Sequence, residues 1–504
     1  MTGRPTSDDL VLAFDEGTTS ARTVAIDRSG QVVAVAQREF EQRFPAPGDV
    51  RHDPEQIWQA QLATAHEVIA AVGGVDRIAA IGITNQRETA VVWDRATSRP
   101  VADAIVWQSR VTAPFCETLR VAGHEPAVRA LTGLPIDAYF SGPKFRQILL
   151  EDPGLRPRAE RGELAGGTVD SFLIWRLTAG RVHVTDVSNA SRTLLFDIHR
   201  GAWDDELIRL MEVPAAILPE VRSSSEVYGR TDASIFGRPI PIASAAGDQQ
   251  SATFGQACLA PGEAKVTLGT GAFLLANTGD VPIVSDHGLL TTVAWQLGPA
   301  APLVYALEGS VFVTGAAVQW LRDGLGIVAT SADVEHLAAT VSDSGGVVVV
   351  PAFVGLGAPY WDPDARGAIF GLTRGSTAAH LARATLDAIA SQVRDVVEAM
   401  DADLGRPLAG LRVDGGGAGD LVCGLIADQL DRTIERPTVR ETTAFGAAAL
   451  AGLAIGLWSS TAEIAAMRQV ERRFEPSSSP VERAAVRRAW TRAVERSRGW
   501  AAHA

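Results

Sequence analysis

Hydrophobic and polar positions along this chain switch repeatedly between two periods. Residues 10–14 and 23–27 are short apolar, β-rich runs, and Arg28-Ser29-Gly30 turns the chain into a third run at 31–37. Strand, turn and strand in succession predict a meander. The period then lengthens. Asp53-Pro54-Glu55 reads as a helix start, with Asp53 as cap, Pro54 in the first turn and Glu55 at the positive end of the axis. Ile57, Trp58, Leu62, His66, Ile69 and Val72 follow at roughly helical spacing. A strand over 78–83 ends on Thr84-Asn85-Gln86-Arg87-Glu88. Later the alternation predicts strands over 347–350 and 411–414 and helices over 380–400 and 441–454. A charged helix is expected after the loop Pro476-Ser477-Ser478-Ser479-Pro480. No repeat of about 20–50 residues is visible, which argues against a solenoid.

One local pattern occurs twice, half a chain apart. Val11-Leu12-Ala13-Phe14-Asp15 runs into Glu16-Gly17-Thr18-Thr19-Ser20, and Lys265-Val266-Thr267-Leu268 runs into Gly269-Thr270-Gly271. In each, a strand breaks at Gly-Thr with small hydroxyl residues around it. Backbone N–H groups and hydroxyls in such a hairpin can face an anion. Two of them, one per half, suggest two similar lobes gripping one polyphosphate; two unrelated turns are the alternative.

Composition narrows the class. A chain of 504 residues exceeds a single core and fits two domains of roughly 250 residues each. A net charge of −13 argues against nucleic acid or an anionic membrane surface as partner. The first residues are polar and carry no signal-peptide pattern, and Cys116, Cys258 and Cys423 sit in no metal spacing, so a reducing cytoplasm is expected. Of 46 basic residues only Lys144 and Lys265 are lysines. No G-x-x-x-x-G-K-[ST] run exists, so a nucleotide site here is not a P-loop.

Several residues suit phosphoryl transfer. Asp15 beside the first Gly-Thr turn would repel phosphate unless Mg²⁺ lay between them; a turn Asp bonding its own backbone is the plainer use. Arg22 is placed to contact phosphate or to lie on a strand face. Asp248, in Gly247-Asp248-Gln249-Gln250, could take a proton from a substrate hydroxyl, or could serve as a cap. Arg87 and Glu88 are adjacent on an extended segment and point to opposite sides, so a simple ion pair between them is not expected. Together they offer donors and acceptors to a polyol. Trp107, Tyr139 and Phe273 could wall its carbon edge. Asp414-Gly415-Gly416-Gly417-Ala418-Gly419-Asp420 is a glycine-rich turn before a helix, which permits close approach of a phosphate or adenosine.

These segments together resemble the FGGY carbohydrate kinases of the actin/hexokinase-like superfamily, in their glycerol kinase branch. The most specific are Gly82-Ile83-Thr84-Asn85-Gln86-Arg87-Glu88-Thr89, Ala104-Ile105-Val106-Trp107-Gln108, Gly247-Asp248-Gln249-Gln250 and Gly355-Leu356-Gly357-Ala358-Pro359-Tyr360-Trp361-Asp362-Pro363. The resemblance implies an α/β fold of two actin/ribonuclease H-like domains around a cleft. Residues 1–254 would carry the polyol site and the first phosphate loop, and 255–504 the nucleotide site. It implies ATP-dependent, Mg²⁺-assisted phosphorylation of glycerol in the cytoplasm by a homo-oligomer, a dimer or a tetramer. By motif, Arg87, Glu88, Trp107, Tyr139, Asp248, Gln249 and Phe273 match the glycerol site, with Asp248 as general base. Thr18, Thr19, Ser20, Arg22, Thr270, Gly271, Gly315, Gln319 and Gly416 match nucleotide contacts, and Asp15 and Asp248 the Mg²⁺ region. One departure stands out. The turn after Asp414 is a residue short, and Gly419 occupies the place of an Asn that contacts the nucleotide, so weaker ATP affinity or an altered nucleotide preference is expected.

Overall fold

The computed structural model describes residues 8–439 and 441–503. The expected meander forms. β1 (Leu10–Glu16), β2 (Ser20–Ile26) and β3 (Val32–Glu39) lie side by side, each antiparallel to the last. β1 is two residues longer than its apolar run, so Asp15 lies inside the strand, opposite Arg22. Helix α1 (Pro54–Ala71) follows, with the Asp53 side chain accepting from the Glu55 N–H as the cap pattern predicts. β4 (Ile78–Asn85) returns parallel to β1. After a long excursion containing helix α2 (Ser141–Glu151), β5 (Ser225–Arg230) and β6 (Pro241–Gly247) complete a six-stranded sheet in the order β5-β6-β4-β1-β2-β3.

Helix α3 (Asp248–Gly255) then leads into a second sheet. Its strands are β7 (Glu263–Leu268), β8 (Ala272–Gly279), β9 (Leu290–Gln296) and β10 (Leu303–Val311). A short helix α4 (Gly315–Gln319) and a long one, α5 (Ala378–Leu404), separate these from β11 (Gly410–Asp414). Helix α6 (Asp420–Leu430), β12 (Ile434–Pro437), helix α7 (Thr442–Ala454), β13 (Val470–Phe474) and helix α8 (Pro480–Ser497) end the chain. The order is β9-β10-β8-β7-β11-β12-β13. In both sheets antiparallel strands run outward from a strand whose other edge takes a parallel partner, β1 with β4 and β7 with β11, although in the second sheet β10 lies between β8 and β9. The two halves therefore repeat one architecture, as the paired turns suggest.

Each sheet has its own core. Leu10, Leu12 and Phe14 pack with Trp58, Val68 and Phe172, and Val266, Leu274 and Leu307 pack with Leu386, Val393 and Met400 of α5. A third apolar cluster joins the halves: Val11, Ala13 and Ala243 meet Ala447, Ala448 and Leu450 of α7. So α7, though late in sequence, packs on the first sheet. It also crosses α3 with the backbones in contact. A Cβ added at Gly446 would lie 1.8 Å from the Ser251 carbonyl oxygen, and one at Gly255 2.0 Å from that of Thr442. Only glycine permits this crossing.

Parallel strands bring their carboxyl ends to one edge, where ligands bind in open α/β sheets. Here that edge carries Asp15 and Glu16 from β1, Asn85 leading to Arg87 and Glu88 from β4, and Gly247 leading to Asp248 from β6. Across the cleft, β7 delivers Gly269 and Thr270, and β11 delivers Asp414 and Gly415.

Candidate functional site

The centre of the site is charged and mostly dry. Arg87, Glu88, Arg192 and Glu308 are each buried, and their charges alternate. Arg87 grips Glu308 with both nitrogens of its fork, Nη1 to Oε2 at 2.5 Å and Nη2 to Oε1 at 2.9 Å. Arg192 donates from Nε to Glu88 Oε1 at 2.6 Å and from Nη2 to Glu308 Oε1 at 3.1 Å. Glu88 is held at φ 61°, in the left-handed region that a non-glycine residue rarely occupies. Such strain persists where surrounding structure over-determines it, and ligand sites are where it clusters. Burial raises the Glu88 carboxyl above its ordinary value, against the pull of Arg87 and Arg192.

Asp248 opens α3 at the rim of this cluster. A third of its side chain is exposed, and its Oδ1 lies 3.4 Å from Arg87 Nε. Burial pushes its carboxyl up, while Arg87 and Lys265 draw it down. The result is an ionisable acceptor beside a fixed cation, the arrangement that orients a hydroxyl and takes its proton. Lys265 is fully buried and donates to Gln249 Oε1 and, at 2.9 Å, to Thr267 Oγ1; burial draws its ammonium down to about 8. Lys144, the other lysine, donates to the Glu88 carbonyl at 3.2 Å and to that of Tyr139. Both lysines of this Arg-rich chain thus serve the same centre.

An aromatic wall stands next to these charges. The Trp107 ring meets Tyr139 edge-on at 5.8 Å and Phe273 at 6.2 Å. Trp107 Nε1 donates to Thr18 Oγ1 at 2.9 Å, so the wall touches the first Gly-Thr turn. In that turn the Gly17 N–H closes on the Ser20 carbonyl. Arg22 pairs with Asp15 at 2.6 Å and with Glu441 at 2.6 Å. The second turn closes from Gly269 N–H to the Gly271 carbonyl. It also accepts from the N–H groups of Thr314, Gly315 and Ala316 at the start of α4. Gln319 ends α4 and is exposed, and Gly416 lies exposed in the turn after β11. Asp414 is buried and accepts from Gln256 Nε2 at 2.7 Å and Thr442 Oγ1 at 2.6 Å, which ties β11 to α3 and α7.

Comparison with known proteins gives this two-lobed arrangement its family. Residues 10–255 match the N-terminal domain of the FGGY family of carbohydrate kinases, and residues 264–455 its C-terminal domain. The chain belongs to the FGGY family of carbohydrate kinases. Among FGGY relatives, the glycerol kinase of Trichlorobacter lovleyi is 57% identical over 494 residues, 98% of this chain and 99% of the relative. That of Deinococcus radiodurans is 55% identical over 97% of this chain and 98% of its own. The crystal structure of Plasmodium falciparum glycerol kinase with ADP superposes with a TM-score of 0.92 at 33% identity, covering 97% of this chain and 98% of the other. A xylulose kinase structure from Lactobacillus acidophilus, 22% identical with a TM-score of 0.86, shares the fold.

Within this family frame, the residues singled out by sequence fall into three groups, with Arg22 paired to Asp15 and with Gln319 and Gly416 exposed apart from them. Arg87, Glu88 and Asp248 converge, Trp107, Tyr139 and Phe273 stack together, and Gln249 joins them through Lys265. The expected extended geometry does not hold for Arg87 and Glu88: the strand ends at Asn85, Glu88 takes φ 61°, and both side chains turn into the same cluster with their nearest charged atoms 3.9 Å apart. Thr18, Thr19, Ser20, Thr270, Gly271 and Gly315 lie in or against the two turns. Glu308 and Arg192 are absent from the residues that sequence singles out. The available signal was a lone acid inside the apolar strand Tyr305-Ala306-Leu307-Glu308, since a buried charge demands a partner.

Proposed function

We propose that this chain transfers the γ-phosphoryl group of ATP to a terminal hydroxyl of glycerol, giving sn-glycerol 3-phosphate and ADP. The supporting observation is Asp248 held 3.4 Å from Arg87 beside the Trp107, Tyr139 and Phe273 wall. A three-carbon polyol needs donors and acceptors for its hydroxyls and an apolar surface for its carbons, and this small enclosure supplies both. In this reading Arg87, Glu88 and Gln249 hold the hydroxyls and the aromatic rings contact the carbon edge. The terminal oxygen attacks the γ-phosphorus, the bond to the β–γ bridging oxygen breaks, and the hydroxyl proton passes to Asp248. Thr18, Thr19, Ser20 and Arg22 would meet the phosphates from one lobe and Thr270, Gly271 and Gly315 from the other, with Gln319 and Gly416 toward the nucleoside.

The donor set fits Mg²⁺. Asp15 and Asp248 offer hard carboxylate oxygens, and no group of three or more His, Cys, Asp or Glu that could hold a metal occurs among the described residues. A cation there would take its remaining ligands from phosphate and water, as Mg²⁺ does. When bound it would neutralise phosphate charge. No helix among the described residues is long and apolar enough to cross a membrane. A cytoplasmic homo-oligomer, dimer or tetramer, completes the reading.

ADP release from the purified protein with Mg-ATP, with and without glycerol and a panel of C3–C6 polyols and sugars, tests it. Glycerol-dependent turnover supports the proposal. Activity only with another polyol moves the substrate. Silence with every member, alongside glycerol binding, makes the protein a sensor.

A further inference from the structure

Glu308 belongs to β10 in the C-terminal half, yet its side chain hydrogen-bonds to Arg87 and Arg192 of the N-terminal half. Its side chain is fully buried, and its partners Arg87 and Arg192 are 221 and 116 residues away in sequence. The fork of Arg87 meets both of its oxygens, and Arg192 shares one of them. Arg192 in turn fixes Glu88, and its guanidinium lies over the rings of Tyr139 and Phe140 at 5.6 and 5.3 Å. Its Nη1 has no hydrogen-bond partner among the described residues, where contact of the guanidinium with the two ring faces offers it a favourable setting. Burial pushes the Glu308 carboxyl up, but Arg192 and Arg87 overcome it and hold it at about 2.

Stability alone is a weak reason for the arrangement. A buried ion network costs so much desolvation that apolar residues of the same volume serve stability as well or better. What the network does supply is a fixed direction for Arg87. With Nη1 and Nη2 engaged by Glu308, and Nη1 also 3.4 Å from Gln250 Oε1, Arg87 keeps N–H donors only on Nη2 and Nε. Nε is the atom beside Asp248.

We infer that Glu308 is a positioning residue for the polyol site. It reaches across the cleft to aim Arg87 at the substrate hydroxyls and at Asp248, and through Arg192 it steadies Glu88. Because the carboxylate comes from the other lobe, the polyol site is complete only while the lobes are docked. The inference rests on the glycerol reading above.

Wild type, Glu308→Asp and Glu308→Gln would be compared by glycerol calorimetry without nucleotide, by steady-state kinetics and by thermal melting. Glu308→Asp keeps the charge but withdraws the carboxylate by one methylene, so the fork of Arg87 is no longer met from the same place. Its glycerol Kd and KM should rise roughly 10- to 100-fold. Its ATP KM should stay within about twofold and its melting temperature close to that of wild type. Glu308→Gln should weaken glycerol further and also lower the melting temperature, since two arginines lose their shared counter-charge; if it fails to fold, Glu308→Asp decides. Three outcomes overturn the inference: a folded Asp variant that binds glycerol as wild type does, a loss that falls equally on ATP, or an Asp variant that does not fold, which assigns Glu308 to stability. If wild type binds another polyol and not glycerol, the substrate reading fails separately, and the same comparison with that polyol judges Glu308.

Discussion

The indole N–H of Trp107 donates to the Thr18 hydroxyl at 2.9 Å, and this bond joins the polyol wall to the first phosphate turn. A residue that touches one substrate is thereby tied to a residue placed for the other. Trp107→Phe keeps an aromatic ring against Tyr139 and Phe273 but removes the donor. The neutral bond contributes about 1 kcal/mol, so kcat should fall by roughly 3- to 10-fold with glycerol KM changed less. Steady-state kinetics check this, and Thr18→Val should reproduce the kcat loss. If both variants turn over as wild type does, the bond is incidental.

Asp248→Asn should lower kcat by roughly 10²–10⁴-fold while glycerol binding persists. The amide retains an oxygen that can accept from the Gln249 N–H, which reaches Asp248 Oδ1 at 2.7 Å, so local structure has little reason to change. Calorimetry for glycerol and a single-turnover assay separate binding from chemistry. Near-normal turnover would remove Asp248 from the role of base.

A pH effect on stability should come from Asp170. Its carboxylate is fully buried and accepts from Thr168 Oγ1 at 2.5 Å and Thr185 Oγ1 at 2.8 Å. Burial, with help from nearby Asp186, pushes its carboxyl up to about 7. In the unfolded chain it ionises near ~3.9. Between those values the folded protein holds a proton that the unfolded chain has lost. Its stabilising effect is therefore complete below about pH 4 and is lost as pH rises through 7. Asp170→Asn removes the cost of the buried charge, so its melting temperature should exceed that of wild type at pH 8, and the difference should vanish at pH 4. An equal difference at both pH values would show that ionisation of Asp170 is not the cause.

The parts of this molecule that sequence made legible are those whose chemistry is local. Gly17-Thr18 and Gly269-Thr270 announce their turns because glycine and hydroxyl residues act within a few positions, and Asp53-Pro54-Glu55 announces α1 for the same reason. Two residues proved illegible because their partners are remote in sequence: Glu308, whose role depends on Arg87 in the other lobe at a separation of 221, and Arg192, 104 residues from Glu88. The packing of α7 on the first sheet was hidden likewise. A small-residue helix states that something approaches closely, and only the fold shows that the neighbours are Ser251 and the β1, β4 and β6 strands. Arg22 could be read toward phosphate from its place after the turn, and the structure adds that Asp15 and Glu441 hold it.

The turn after Asp414, which the sequence resemblance reads as a residue short, makes the last prediction a coupled one. Gly419 precedes α6, and a Cβ built on it would lie 2.1 Å from Glu335 Oε1. That oxygen accepts from the Val422 N–H at 3.1 Å, so Glu335 occupies the space beside Gly419 and caps the positive end of α6. Restoring an amide side chain by Gly419→Asn alone would displace Glu335 and expose that N–H, a loss of about 1–2 kcal/mol that offsets any new hydrogen bond to the nucleotide. The single variant should therefore leave the ATP KM unimproved and lower the melting temperature. Gly419→Asn with Glu335→Ala frees the space, and its ATP KM should fall several-fold, by about the worth of one hydrogen bond. The ATP KM of wild type, both single variants and the double variant forms a closed cycle. If Gly419→Asn alone improves ATP as much as the pair does, Glu335 is not what the missing side chain made room for.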